Sequence, residues 1–212
     1  MTLTIRNSPR TVLLAALLTA LPMTAMATIV VPMSVETMAK KSVLVVRATV
    51  LDANCEWDRS NKHIFTYTRL KAVEALRGQL SPGKLFRIRT LGGEIGEIGM
   101  AVAGTAKFKP GEEVVVFVRV DPYDAADYQV VGMSQGKFVV QKDEKGEDLV
   151  VPNVNGLEFA RRDIRGAMQI TGQAVENKNG ISLNAFKKRV DTVAGSVSPT
   201  LKKTPSTGDT NR

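Results

Sequence analysis

The sequence predicts a mainly β chain, a single antiparallel barrel or sandwich with a short N-terminal helix and a C-terminal helix. Three observations carry that expectation. Seven or eight strand-like segments follow one another between Val43 and Val151 at short intervals. Little amphipathic helix separates them, which argues against alternating βα units. Turn signals such as Ser81-Pro82-Gly83 and Pro110-Gly111 fall where hairpin connections are needed.

In chain order, Ser34 to Lys41 (SVETMAKK) reads as a short helix. Ser34 is its cap, Glu36 lies in the first turn, and Lys40 and Lys41 lie at the negative end. Val43 to Leu51 (VLVVRATVL) has the β-branched run of a strand buried on both faces. Asp52-Ala53-Asn54 then reads as a turn. A long strand follows from His63 to Ala75, closed by Leu76-Arg77-Gly78. Lys84 to Thr90 (KLFRIRT) alternates charge and bulk with period two. A glycine-rich loop, Leu91 to Gly99, leads to a short segment, Met100 to Gly104. Glu113 to Val120 (EVVVFVRV) is the best central strand. Tyr128 to Met133, Lys137 to Gln141 and Leu149 to Val151 complete the set. Ser182 caps a last helix from Leu183 to Ala194, with Leu183, Phe186 and Val190 as its apolar stripe.

The first 27 residues read as an export signal. Arg6 and Arg10 open it, Val12 to Leu21 form a ten-residue apolar core, and Ala25-Met26-Ala27 offers the small residues of a cleavage site. That core is shorter than the roughly 20 residues a bilayer-spanning helix needs. The expected organisation is a signal over 1–27, one domain over 28–194 and a polar tail over 195–212. The expected location is the periplasm or outside the cell, with no transmembrane segment after cleavage.

The mature part has a net charge of +6, from 27 basic and 21 acidic side chains. Much of the surplus sits near the C-terminus, at Arg161, Arg162, Arg165, Lys187, Lys188, Arg189, Lys202 and Lys203, and no aromatic residues interleave with these charges, so a nucleic-acid platform is not expected. The single cysteine, Cys55, excludes an intramolecular disulfide. It reads as a buried small hydrophobe, with a reactive thiol or a link to another chain as the alternatives.

Several motifs touch on chemistry. Gly132-Met133-Ser134-Gln135-Gly136 matches the nucleophile-elbow pattern, but a strand follows it where that motif needs a helix. Ser134 is therefore expected at a tight hairpin. The only histidine, His63, lies eight residues after Cys55, and a hairpin through Trp57 to Asn61 would bring the two together. Asp121, Asp124 and Asp127 in DPYDAAD lack the spacing of a calcium loop and read as a polar connection. No metal and no cofactor is expected. Gly92, Gly93, Gly96 and Gly99 have neither the lysine nor the helix of a phosphate loop, so they read as backbone-shaping residues beside the sheet. Long loops on rigid β scaffolds are common binding surfaces.

A family resemblance rests on a succession of motifs. These are SVLVVRATV, the Trp-containing loop CEWDRSNKHIFTYT, Leu-Arg-Gly, Gly92-Gly93, and Phe108-Lys109-Pro110-Gly111-Glu112-Glu113 leading into VVVFV. Tyr128-Gln129-Val130-Val131-Gly132 and Gln135-Gly136-Lys137-Phe138 complete it. Over residues 34 to 194 this resembles small exported bacterial proteins of unassigned function. Their domain is similar to the OB-like barrel of netrin-like modules and tissue inhibitors of metalloproteinases. The resemblance implies an OB-like fold, not an activity. Netrin-like inhibitors chelate the protease metal through an N-terminal cysteine, whereas this mature chain starts at Thr28 with no second cysteine. No inhibitory residue carries over.

The expected function is an exported, non-catalytic binding domain for another protein or a cell-envelope polymer. Its binding residues are expected to be Trp57, Gly92, Gly93, Gly96 and Gly99. The alternatives are a serine or cysteine hydrolase using Ser134 or Cys55 with His63, and an inhibitor or accessory protein of an exported protease.

Overall fold

The computed structural model describes residues 28–154, 157–163, 165, 167–172 and 179–194. The expected signal and tail lie outside the described residues. Strand β1 (Thr28–Val30) leads into helix α1 (Val35–Lys41). Ser34 Oγ accepts from the Thr37 N–H at 3.2 Å, and Ser42 closes the helix with its N–H on the Ala39 carbonyl. Val35, Met38 and Ala39, at helical spacing, turn inward and are buried.

Two 14-residue strands follow, β2 (Leu44–Trp57) and β3 (Ile64–Arg77), paired antiparallel over their whole length. The Asp52-Ala53-Asn54 triplet, expected as a turn, runs inside β2. Its polarity is tolerated because β7 covers β2 only from Leu44 to Thr49. Beyond that point the outer face of the ribbon meets solvent, and there Asp52 pairs with its cross-strand neighbour Arg69, accepting from Nε at 2.8 Å. A register shift between Val50 and Asp52 re-aims the side chains there.

Next come β4 (Leu85–Leu91), β5 (Gly93–Ile95), β6 (Ile98–Met100), β7 (Glu113–Val120) and β8 (Tyr128–Val130). A 3₁₀ turn (Met133–Gly136) precedes β9 (Lys137–Lys142), β10 (Asp148–Pro152), β11 (Leu157–Arg162), β12 (Met168–Gly172), β13 (Ile181–Ser182) and helix α2 (Leu183–Ala194). The expected glycine loop thus contains a small hairpin, β5–β6. The expected strand to Met133 stops at Val130, because Gly132 takes a left-handed conformation (φ 71°) and starts the 3₁₀ turn. Ser134 therefore sits in that turn rather than in a hairpin. Strands β1, β11 and β12 form a separate three-stranded sheet that the sequence pattern did not reveal.

The main sheet has the order β13-β10-β9-β7-β2-β3-β4-β8, and β8 also pairs with β7. Strands β2, β3, β4, β8 and β7 thereby make a partly closed ring. Its seam is a parallel contact of β4 with β8 at Ile88 and Tyr128, and an antiparallel one of β8 with β7 over Val118–Val120.

Two cores lie on opposite faces of the β2–β7 pair. Leu44, Val46, Ala48 and Val50 of β2 face Val114, Val116 and Val118 of β7 across the ring interior, with Leu70, Phe86 and Ile88. The alternate residues Val45, Val115 and Phe117 face outward, where α1 and α2 cover them with Met38, Phe186 and Val190. Period two on both faces explains why these strands read as unbroken apolar runs. Phe117, Phe138 and Phe186 meet in tilted and edge-on contacts with centroids 5.0–5.9 Å apart. Among the described residues, no helix is long and apolar enough to cross a membrane.

Candidate ligand pocket at the open end of the ring

The ring interior changes character along its axis. On β3 the inward series runs Leu70, Thr68, Thr66, and β4 pairs Phe86, Ile88 and Thr90 with these same positions. On β2, Ala53 lies opposite Thr68 and Cys55 opposite Thr66. An aliphatic barrel thus ends in threonine hydroxyls and one thiol. Cys55 Sγ and Thr66 Oγ1 are 3.4 Å apart, and Thr66 Oγ1 donates to the Gly92 carbonyl at 2.6 Å.

This end encloses a cavity of about 500 Å³, within the range of about 300–1,000 Å³ usual for small-ligand sites. Cys55, Thr66, Thr68 and Thr90 line it together with Gly92, Gly93, Gly99 and Phe108. Glu94 and Lys107 bring opposite charges to its lining. Thr68 Oγ1 is buried there without a hydrogen-bond partner among the described residues. Leaving a buried hydroxyl unpaired costs about 1–3 kcal/mol, so this is an unused donor and acceptor on a residue that lines the cavity.

Glycine is required at two positions of this wall. Gly92 has φ 102°, and a Cβ there would stand 2.8 Å from the Met100 carbonyl oxygen. Gly93 has φ 148°, and its Cβ would stand 2.5 Å from Cys55 Sγ and 2.7 Å from Thr66 Oγ1. Gly96 occupies the β5–β6 tip and does not line the cavity. Trp57 ends β2, paired with Ile64 and half-buried, and it too lies off the cavity.

The other candidates are separated. His63 Nδ1 meets Asp58 Oδ2 at 3.1 Å on the exposed β2–β3 connection, while Cys55 bonds Thr66 inside the ring. Asp58 Oδ1 also accepts from the N–H groups of Lys62 and His63. Burial alone would raise the Asp58 pKa, but these donors, the Ser60 hydroxyl and His63 hold it well below the usual carboxylate range. Ser134 is buried, its N–H donates to the Gly104 carbonyl at 2.9 Å, and its Oγ has no partner among the described residues. Neither Ser134 nor Cys55 is hydrogen-bonded to His63.

The DPYDAAD segment is tied down by two arginines of β4. Arg89 grips Asp121 with two bonds of 2.9 Å, and Arg87 grips Asp127 with bonds of 2.5 and 3.0 Å. Arg89 also lies over the rings of Phe65 and Tyr123, at 4.3 and 5.3 Å, and Arg87 over Tyr67 at 4.6 Å. Burial pushes the Asp121 pKa up, yet Arg89 and the Tyr123 N–H outweigh it and leave it lowered. These carboxylates brace the outer wall of the ring at the level of Thr68 and Thr90.

Loop 107–112 is held from below by Lys137. Its buried ammonium donates to the Lys107 carbonyl at 2.6 Å and to Glu112 at 2.7 Å, and it lies 5.0 Å from the Phe108 ring centre. The residues missed by sequence reading are Thr66, Thr68, Thr90 and Phe108. The signal available for the first two was the T-Y-T alternation inside a long strand. Comparison with family models, with curated proteins and with solved structures finds no match for this chain.

Proposed function

We propose that this chain is an exported, non-catalytic binding domain with an OB-like barrel, which recognises a protein or cell-envelope polymer at the open end of its ring. Export rests on the arginine-led apolar segment of residues 1–27. The OB-like reading draws on the ring order β2-β3-β4-β8-β7, with its parallel β4–β8 seam. The single observation that carries the binding reading is the Thr68 hydroxyl, buried without a partner among the described residues, on a cavity whose lining also needs Gly93. A ligand hydroxyl or amide would satisfy that atom. Of the expected binding residues, Gly92, Gly93 and Gly99 line this cavity, and Trp57 and Gly96 do not.

The test is retention of envelope material on the immobilised mature protein. The envelope is split into a protein fraction and a solubilised glycan fraction before loading. Wild type is expected to retain a component of one fraction, and Thr68→Val to lose it while Trp57→Ala keeps it. Equal retention by wild type and Thr68→Val would reject this site.

A further inference from the structure

A second cavity, of about 470 Å³, lies on the other side of the β2–β7 pair, between the two helices and the β9–β10 strands. Its floor is apolar and sealed: Met38, Val150 and Phe186 are 2, 1 and 1 % exposed. Phe138 and Phe159 extend these walls. Its rim is basic. Arg161 lines it and is exposed, and among the described residues no carboxylate pairs with it. Arg189 lines it as well, held in a two-bond clasp by Glu36 at 2.7 and 3.1 Å.

The wall between floor and rim is fixed in advance. Gln135 Oε1 accepts from the Met33 N–H at 2.9 Å and its Nε2 donates to the Val31 carbonyl at 3.3 Å. Each end of that amide is bonded to the main chain, which fixes its position in the wall. An apolar chamber that opens past Arg161, whose guanidinium has no carboxylate partner among the described residues, matches a ligand with a hydrocarbon body and one anionic end.

We propose that this cavity binds a single-chain anionic amphiphile, its hydrocarbon chain on Met38, Val150 and Phe186 and its carboxylate or phosphate head at Arg161. The proposal does not depend on the reading of the ring pocket, since no residue lines both cavities. Arg161 supplies two parallel N–H donors to a planar anion, and the Arg189–Glu36 pair adds a neutral polar margin beside it. Chain length sets affinity through buried methylenes, each changing the binding constant roughly 4-fold.

Titration calorimetry of the mature protein with monomeric laurate, decanoate, dodecanol and dodecyltrimethylammonium tests this. Laurate is expected to bind one to one, and more tightly than decanoate by roughly 15-fold for two methylenes. It is also expected to bind at least 10-fold more tightly than dodecanol or the cationic amphiphile. Arg161→Gln, a change at an exposed position, is expected to weaken laurate about 10-fold and leave dodecanol unchanged. Val154→Trp, at the half-buried margin of the cavity, is expected to block all four, with circular dichroism checking its fold. Laurate that fails to bind overturns the proposal. So does laurate bound no better than dodecanol, or equally by wild type and Arg161→Gln. A free phosphate ion binding as well as dodecyl phosphate would overturn the hydrocarbon half of the assignment.

Discussion

Gly93 lies directly over Cys55: a methyl group at Gly93 would stand 2.5 Å from the Cys55 sulfur. This one contact joins the β5–β6 hairpin to the polar end of the ring and accounts for a half-buried thiol with a hydroxyl neighbour. Gly93→Ala is expected to destabilise the protein by about 1–3 kcal/mol, the usual cost of overpacking. Cys55→Ala in the same chain should return part of that loss, because it removes the nearer obstacle. Urea unfolding of the two single variants and the double variant measures the coupling. Full additivity would mean that the two residues do not touch.

Thr68→Val should do two opposite things. It removes a buried hydroxyl that has no partner among the described residues and keeps the shape, so the unliganded protein should gain about 1 kcal/mol in urea unfolding. It should also lose retention of the envelope component. A variant destabilised by more than that amount would show that Thr68 Oγ1 does have a partner.

The α1–α2 clasp predicts acid sensitivity with a definite sign. Hydrogen bonds from Arg189 are the largest influence on Glu36 and lower its pKa from 4.5 to about 2. A carboxylate lowered on folding contributes stability above its unfolded pKa and loses it as the pH falls through the folded value. The contribution of Glu36 should therefore be full above about pH 4.5 and gone near pH 2. With side chains 35 and 28 % exposed, solvent screening limits it to about 1 kcal/mol. Stability of Glu36→Gln against wild type at pH 6 and pH 2.5 checks this: the difference should shrink at the lower pH.

Lys137 is a buried cation whose side chain is 2 % exposed, with the carboxylate of Glu112 at 2.7 Å. Burial lowers its pKa, against the opposing pull of Glu112. Lys137→Ala should cost about 3–5 kcal/mol, because it strands Glu112 and the Lys107 carbonyl. The pair Lys137→Met with Glu112→Gln should recover a large part of the loss. Thermal melts give both values, and a cheap Lys137→Ala would mean that loop 107–112 is held by other contacts.

Much of the fold was legible because local pattern and burial agree. The Ser34 cap with Val35, Met38 and Ala39, the all-apolar run of β7 and the stripe of α2 each lie where period and capping put them. Asp52 to Asn54 misled because a polar triplet in a ribbon exposed beyond Thr49 looks the same as a turn. The β1–β11 pairing joins Thr28 to Leu157, and no local signal marks so distant a partner. The pocket was half legible. Glycines at 92 and 93 announced a backbone constraint, and the T-Y-T alternation puts Thr66 and Thr68 on one face, but nothing local says that this face turns inward. That follows from closure of the ring at Ile88 and Tyr128, and from braces such as Arg89 to Asp121, 32 residues apart.

Val45 and Val46 are adjacent in one strand yet look into different cores. Neither compartment can melt while the other survives, since each would strip the shared strand of half its packing. Heating should therefore produce one sharp heat-absorption peak, and a ligand that tightens either side should shift that peak as a whole.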